Sequence, residues 1–568
     1  MAHTVTESTR LTGQSLVAVC FIALVIHKVF RKIETYSFTI HFSLLCVPLL
    51  TSFELLRGTM PAAAAALVSC ATFISTLLLS MALYRLSPFH PLARYPGPLM
   101  CKLTKFWMAF LSTTGDQHLY VKRLHDRYGD VVRIGPNELS FRDASIINAM
   151  LGAGGFHRGP HLAGRVLSIT DVPFIVLMDS TIHAERRKPW IRAFSPAALK
   201  EYEPMIAHRV NQLVHVLEKQ QGAIIIGKFF NYFAYDFMCD MAFGGGSELL
   251  RDGDKNNVWQ IIQKGLPGCT FLSHVPYLGV YCGRIPILRP AVDHLLSYSM
   301  ELTRERLERG SIVKDIFHYL NNEDQPEKPP PAMRYLLNEG SLAILAGSDT
   351  TSSTLTSLFF CLLTHPTAFK LLQAEVDLFY PRDEDPSNPQ HHREMHFLDA
   401  AICEAMRLYP PVPSGSQRQV PFDKKGVMLG PYFVPGGTMM FLPPYIVQRD
   451  PRNFSPFPDD FWPDRWLVSA GRTSLSDALA NAPADVTDAD KMPFVHNDTA
   501  FIPFSYGPAG CVGKQLAMQE MRTVTCALLH KFDFSLHPDW DVEEYDRGFK
   551  DYYVTTRPDV HVILRARF

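Results

Sequence analysis

From Ala62 to Tyr84 the chain carries no charged residue. A run of that length crosses a hydrocarbon core of roughly 30 Å at about 1.5 Å rise per residue, and within lipid a lone segment satisfies its backbone only as a helix. Two weaker apolar stretches precede it, about Gln14–Phe30 and Phe38–Leu56, the second interrupted by His41 and Pro48. Residues 1–88 therefore read as a membrane anchor of one to three transmembrane helices. A secretory signal is the competing reading of the first stretch. Against it, the basic residues Lys28, Arg31 and Lys32 follow the apolar run, whereas a signal carries them in front. Lys and Arg mark cytoplasmic flanks, so these three residues, with Arg85 and Arg94 after the third stretch, place the rest of the chain in the cytosol. The prolines of His90–Pro98 fix φ and remove donors, which predicts a stiff hinge over residues 89–98. An ordinary loop is the plainer alternative.

No later linker divides residues 99–568, which read as one catalytic domain despite a length prior of several domains. A formal net charge of −1 gives no electrostatic basis for nucleic acid as a partner. The 11 cysteines are scattered without a CxxC pair, which argues against a disulfide framework or a structural zinc site and fits a reducing compartment. A special cysteine in such a chain is special through its surroundings.

Helical patterns dominate the domain: Gln117–Arg127, Ala197–Leu217, Val258–Lys264, Pro290–Leu307, Met333–Thr364, Thr367–Phe379 and Leu398–Leu408. Val131–Ile134 and Glu138–Phe141 read as strands around a Gly-Pro-Asn turn. Asn321–Pro331 predicts a surface loop before the longest helix. Val468–Asn497 is a polar insert of a length that is usually functional or disordered. The expected fold class is mainly α with small β-sheets.

The strongest chemical signal is Phe504-Ser-Tyr-Gly-Pro-Ala-Gly-Cys-Val-Gly513, followed by a helical pattern over Lys514–His530. A loop rich in Gly and Pro thus delivers Cys511 to a helix N-terminus, where the dipole and unpaired amides favour a thiolate. Gly507, Gly510 and Gly513 let the backbone turn its amides toward sulfur and leave room for a flat cofactor. A small buried cysteine beside a helix start is the bland reading. This segment resembles the haem-binding signature of the cytochromes P450, with Phe504, Gly507, Cys511 and Gly513 matching. The resemblance implies haem b with iron ligated by the Cys511 thiolate, a ligand that favours O–O cleavage. Ala509 departs from the family, which usually has Arg or His there to meet a haem propionate.

Other segments follow in the family's order. Asp349-Thr350 lies inside an apolar helix, after Gly347, which removes a side chain where a ligand could approach. Such a pair is costly there unless used or hydrated; a helix bend by hydroxyls bonding back to the backbone is the plain alternative. The stretch is similar to the family's oxygen-activating helix, which makes Thr350 the proton-relay alcohol and Asp349 its acid. Glu404 and Arg407 stand at i,i+3, a spacing common on solvated helices. They match the family's Glu-x-x-Arg pair, with Arg465 of Phe461-Trp-Pro-Asp-Arg-Trp466 as the implied third member of a structural ion network. His183-x-x-x-Arg187 resembles the family's Trp-x-x-x-Arg, which makes Arg187 and His183 propionate ligands; Arg418 is a further candidate.

The resemblance runs from about Pro91 to the C-terminus and has the flavour of fungal microsomal members. It implies a monooxygenase inserting one oxygen atom from O2 into a lipophilic small molecule, in secondary metabolism such as terpenoid biosynthesis. The pocket walls would come from about Gly152–Val176, Gly227–Tyr281, Leu342–Gly347, Val412–Gln417 and near Tyr552–Val554. The tail after Cys511 is too short for a fused reductase. Electrons are expected from NADPH through a separate cytochrome P450 reductase, with cytochrome b5 as a second donor, docking near Lys514 and Arg522 at the endoplasmic reticulum. Two rivals keep the haem: an isomerase or peroxide-driven enzyme, disfavoured by Asp349-Thr350, and a non-catalytic sensor, which needs no proton relay. A membrane receptor built on the three spans leaves the ordered motifs unexplained. A cytosolic domain predicts that the sequons at Asn453 and Asn497 stay bare; peptide mass spectrometry finding a glycan on either overturns this orientation.

Overall fold

The computed structural model describes residues 2–33, 35–255, 257–288, 290–311, 313–482 and 492–568. Three helices open the chain, α1 (Ala2–Lys32), α2 (Phe38–Arg57) and α3 (Ala62–Leu86), each long and apolar enough to cross a membrane. They pack together through Val19, Ala23, Leu56, Ala65, Phe73 and Leu77. The opposite side of α3 leaves Leu67, Leu78, Leu79 and Leu83 exposed. A helix apolar on every side is suited to lipid, where no polar face is required.

The proline-rich segment that follows is fastened to the domain. The Arg133 amide donates to the Pro96 carbonyl at 2.7 Å, and a side chain on Gly97 would run into the Arg133 carbonyl. The buried Arg133 guanidinium donates to the Arg85 carbonyl at 3.1 Å and lies 3.3 Å from His90. One arginine thus ties the end of α3 to the first sheet. That sheet pairs β1 (Val131–Gly135) antiparallel to β2 (Glu138–Phe141); β2 runs parallel to β4 (Met439–Phe441), which pairs antiparallel to β3 (Arg418–Gln419).

Helices form the rest of the core: α4 (Ser180–Ala193), α5 (Ile226–Phe243), α6 (Val258–His274), α7 (Met333–Thr364), α8 (His396–Leu408) and α9 (Lys514–Lys531). A small hairpin, β5 (Lys550–Tyr552) and β6 (Val554–Thr556), lies near the C-terminus. The expected helices all form, α7 with the bounds read from sequence, while α6 continues past Pro267 to His274. Besides several short helices, two long ones among the described residues were not anticipated. In α4 the apolar positions are few, and α5 is apolar nearly all round, with buried residues on every side and no stripe to mark a period. The Asn321–Pro331 segment is a run of turns, as expected. In the Val468–Asn497 insert, Ala478 and Leu479 pack on Trp462, whose indole donates to the Ala478 carbonyl at 3.2 Å; residues 483–491 lie outside the described residues.

The α5–α7 contact is built on recesses. A Cβ on Gly340 would lie 2.7 Å from the Phe243 ring, and one on Gly347 2.5 Å from Met238 Sδ. Gly347 therefore makes room for α5; this corrects the sequence reading that it clears space for a ligand. Gly347→Val is expected to destabilise the fold by about 1–3 kcal/mol through overpacking, and Met238→Ala in the same chain to return part of that loss. Thermal melts of the two single variants and the double variant check this; additive losses would mean the contact is absent.

Candidate active site

The cysteine loop closes on itself before α9 begins. The Cys511 amide donates to the Phe504 carbonyl at 2.8 Å, and the Gly510 amide to the Gly507 carbonyl at 2.9 Å. Gly507 is required: its φ is +68°, and a Cβ would run into the Leu151 carbonyl. Gly513, the residue capping α9, has φ −84°, and a Cβ there would meet only the Phe194 ring at 3.7 Å. Burial pushes the Cys511 thiol up from its ordinary value, against the Gly513 and Lys514 amides and the Arg187 guanidinium, which favour thiolate. Yet Cys511 is the one exposed cysteine beyond the anchor helices. A thiol that is both crowded and accessible faces an inner surface. Leu345 and Ala346, within the largely buried middle of α7, are also exposed.

Around that surface stand basic groups without acids. Arg158 and Arg418 face each other across an isolated antiparallel bridge. Arg158 donates to the Ile175 carbonyl at 2.6 Å and the Ala509 carbonyl at 3.1 Å, but its Nε has no partner; neither does Nη2 of Arg418 or Nε2 of His183. Among the described residues no carboxylate pairs with Arg158, Arg187 or Arg418. Burial, then Arg158, Arg187 and Arg418, hold His183 down to about 4, so it is neutral near pH 7. Burial and Arg158 bring Arg418 down to about 10. Buried cations are retained when something anionic compensates them, and guanidinium forks match carboxylates. The two propionates of a haem fit this set. Arg158 escaped the sequence reading because it belongs to no motif; only the bridge to Arg418 brings it in. Its guanidinium reaches residue 509 by its carbonyl, where the sequence lacks a basic side chain.

The long helix α7 carries the paired acid and alcohol, Asp349 and Thr350. Asp349 is buried, its Oδ1 has no partner, and burial pushes its carboxyl up against the pull of Arg557 and Arg165. The Thr350 hydroxyl donates to the Ala346 carbonyl at 2.7 Å. The back-bonding alternative is thus realised, and it leaves the hydroxyl's lone pairs facing outward to accept.

On α8, Glu404 is saturated. It takes Arg407 Nε and Nη2, each at 2.9 Å, Arg465 Nε at 3.0 Å, the Trp462 amide at 3.0 Å and the Trp466 indole at 2.9 Å. Trp466, a departure from the family pattern, therefore supplies a donor to the network. Burial opposes the charge, but the two guanidiniums overcome it and hold the carboxyl near about 2. Of the proposed docking residues, Arg522 is bound to Asp399 at 2.6 Å, whereas Lys514 is exposed, 5.7 Å over the Phe504 ring.

Glu404→Gln leaves two buried guanidiniums without a counter-charge and is expected to cost about 3–5 kcal/mol. Since the folded carboxyl lies below its ordinary 4.5, its contribution is complete above that value and fades as pH falls toward about 2. Melts against pH check this: the gap between wild type and variant should shrink through that window, and a constant gap would refute it.

Comparison with known proteins gives one answer. The cytochrome P450 family model matches residues 94–562. The chain is 32% identical over 509 residues to the cytochrome P450 monooxygenase FCK2 of Fusarium pseudograminearum (strain CS3096), covering 88% of this chain and 86% of that one. It is 30% identical to the cytochrome P450 monooxygenase orf5 of Eupenicillium brefeldianum, over 84% of this chain and 90% of the relative. It is 31% identical to the cytochrome P450 monooxygenase nodW of Hypoxylon pulicicidum, over 87% and 86%. With an accessible cysteine at a helix start, uncompensated cations beside it and a buried acid in the long helix α7, the chain belongs to the cytochrome P450 monooxygenase family.

Proposed function

We propose that this enzyme inserts one oxygen atom from O2 into a C–H or C=C bond of a lipophilic small molecule of fungal secondary metabolism, with terpenoids the class to test first. It works at the endoplasmic reticulum membrane with its domain in the cytosol, and takes electrons from NADPH through a separate cytochrome P450 reductase, with cytochrome b5 as a second donor. The carrying observation is the set of acid-free cations beside the accessible Cys511.

Haem ligated by thiolate, when bound, supplies the activation of dioxygen. The residues of this chain do the rest. Cys511 holds the iron as thiolate, its charge tempered by the Gly513 and Lys514 amides. Arg158, Arg187 and Arg418 hold the propionates, and His183, being neutral, adds a hydrogen bond. Phe504 and Gly507 shape the loop against the ring. Asp349 keeps a proton in a site that burial makes unfavourable for its anion, and Thr350 passes it on. Leu345 and Ala346 present an apolar wall that excludes water.

The reduced carbon monoxide adduct of the purified protein should show the thiolate-type spectrum and lose it in Cys511→Ala; an imidazole-type spectrum in the wild type sinks the proposal. With reductase, isotope-labelled dioxygen and a host that makes candidate terpenoids, products should carry one labelled oxygen. Asp349→Asn should retain the spectrum but lose about 100-fold or more in product rate, within the usual range for a lost acid.

A further inference from the structure

Four of the stretches expected to wall the pocket meet at one arginine. Arg165 ends the short helix His161–Arg165 and is half-buried. Its Nη1 donates to the Tyr552 carbonyl of β5 at 2.9 Å and to Thr270 Oγ1 of α6 at 3.4 Å. The guanidinium lies 5.5 Å over the Tyr553 ring, whose hydroxyl is 3.2 Å from Ser416 Oγ. Tyr553 holds this place in a strained backbone, with φ +78° and its amide donating to Asp551 Oδ1 at 3.0 Å. The other residues of the short helix are buried. Arg165 also acts on three enclosed groups. Burial raises the Asp349 and Asp551 carboxyls and Arg165 opposes it; burial, then His274, then Arg165 push His161 down. The guanidinium therefore faces inward.

Both bonds of Arg165 leave from Nη1, so the edge formed by Nε and Nη2 has no partner among the described residues. Elsewhere in this chain that same edge grips a carboxylate. Arg407 on Glu404, Arg209 on Asp240, Arg306 on Asp315 and Arg522 on Asp399 all use Nε and Nη2. The edge offers two parallel N–H groups that match the two oxygens of an acid. Asp349 and Asp551 feel the charge of Arg165, but neither is bonded to it. A second group points the same way. His161 is only 6% exposed, and neither of its ring nitrogens has a partner. Its ring lies 6.1 Å from that of Tyr553 and edge-on to His274 at 5.0 Å. His274 Nε2 donates to Gln117 Oε1 at 2.7 Å; burial pushes His274 down to about 4, so it is neutral and its Nδ1 is bare. His161, neutral too, carries one N–H. Buried donors are as a rule paired, and this one is free for a ligand.

We propose that the Nε–Nη2 edge of Arg165, with the N–H of His161 beside it, binds a carboxylate of the substrate, so that the substrate is a lipophilic carboxylic acid. This rests on the monooxygenase reading above and narrows its substrate class. The acid group anchors one end of the molecule, and the exposed Leu345 and Ala346 of α7 offer an apolar surface to its body. A bidentate ionic contact separates an acid from its ester, which brings no charge and leaves the guanidinium unmet. Arg165 and His161 thus determine specificity and take no part in the oxygen chemistry.

The test uses the full-length holoenzyme. Its haem absorption, which shifts when a substrate enters, is titrated with lauric, myristic, palmitic and abietic acids and with the methyl ester of each. The acids should bind about tenfold or more tighter than their esters, as a charge-assisted pair provides. Arg165→Gln should abolish that preference, and Arg165→Lys, which keeps the charge without the edge, should restore part of it. The carbon monoxide spectrum reports folding. If Arg165→Gln fails to retain the thiolate form, His161→Leu carries the test, with the preference cut by about threefold or more. Acids that bind no tighter than their esters overturn the subsite, as does a preference that survives intact in the variant carrying the test. The monooxygenase reading fails separately, through an imidazole-type spectrum or products without labelled oxygen.

Discussion

Two sets of arginines, one gathered on Glu404 and one near Cys511, differ in how they are paired, and that difference organises the domain. Arg407 and Arg465 converge on Glu404, whose oxygens are filled by five donors. Near Cys511, no carboxylate among the described residues pairs with Arg158, Arg187 or Arg418. A folded chain tolerates the first arrangement because it closes on itself. The second stays costly until a dianionic partner arrives, so binding of that partner stabilises the fold that holds it.

The same logic of incomplete pairing recurs on α7. Asp349 is buried without a bonded base, and burial favours its neutral form. Neighbouring hydroxyls on α7 mostly bond back to the helix, as Thr350 does to Ala346. They satisfy the helix locally while keeping acceptors free. Rigidity comes from elsewhere: from α5, whose Met238 and Phe243 enter recesses at Gly347 and Gly340, and from the saturated Glu404 network.

The anchor shows a parallel division. The three apolar helices pack on one another through a few small and aromatic side chains and expose leucines outward, which suits lipid. Their junction with the domain is polar and specific: Arg133 bonds to backbone carbonyls of Arg85 and Pro136, and the proline segment lies against it. The stiffness of that segment is owed to proline, but its direction is owed to one buried arginine from β1.

Sequence alone determined what depends on neighbours in the chain. The uncharged run over Ala62–Tyr84, the bounds of α7, the loop that brings Cys511 to a helix start, and the Glu404–Arg407 spacing are all local patterns of period and spacing. Tertiary structure decided which charges remain alone. Arg158 has no motif and enters the site only through its bridge to Arg418. Gly347, two residues before Asp349, makes room for Met238 of α5. Arg557 meets the field of Asp349 across more than two hundred residues of chain. The physical reason is that helix and strand periods are set by bonds between near neighbours. Whether a buried charge is compensated is a sum over everything around it in space, and a linear order of residues does not contain that sum.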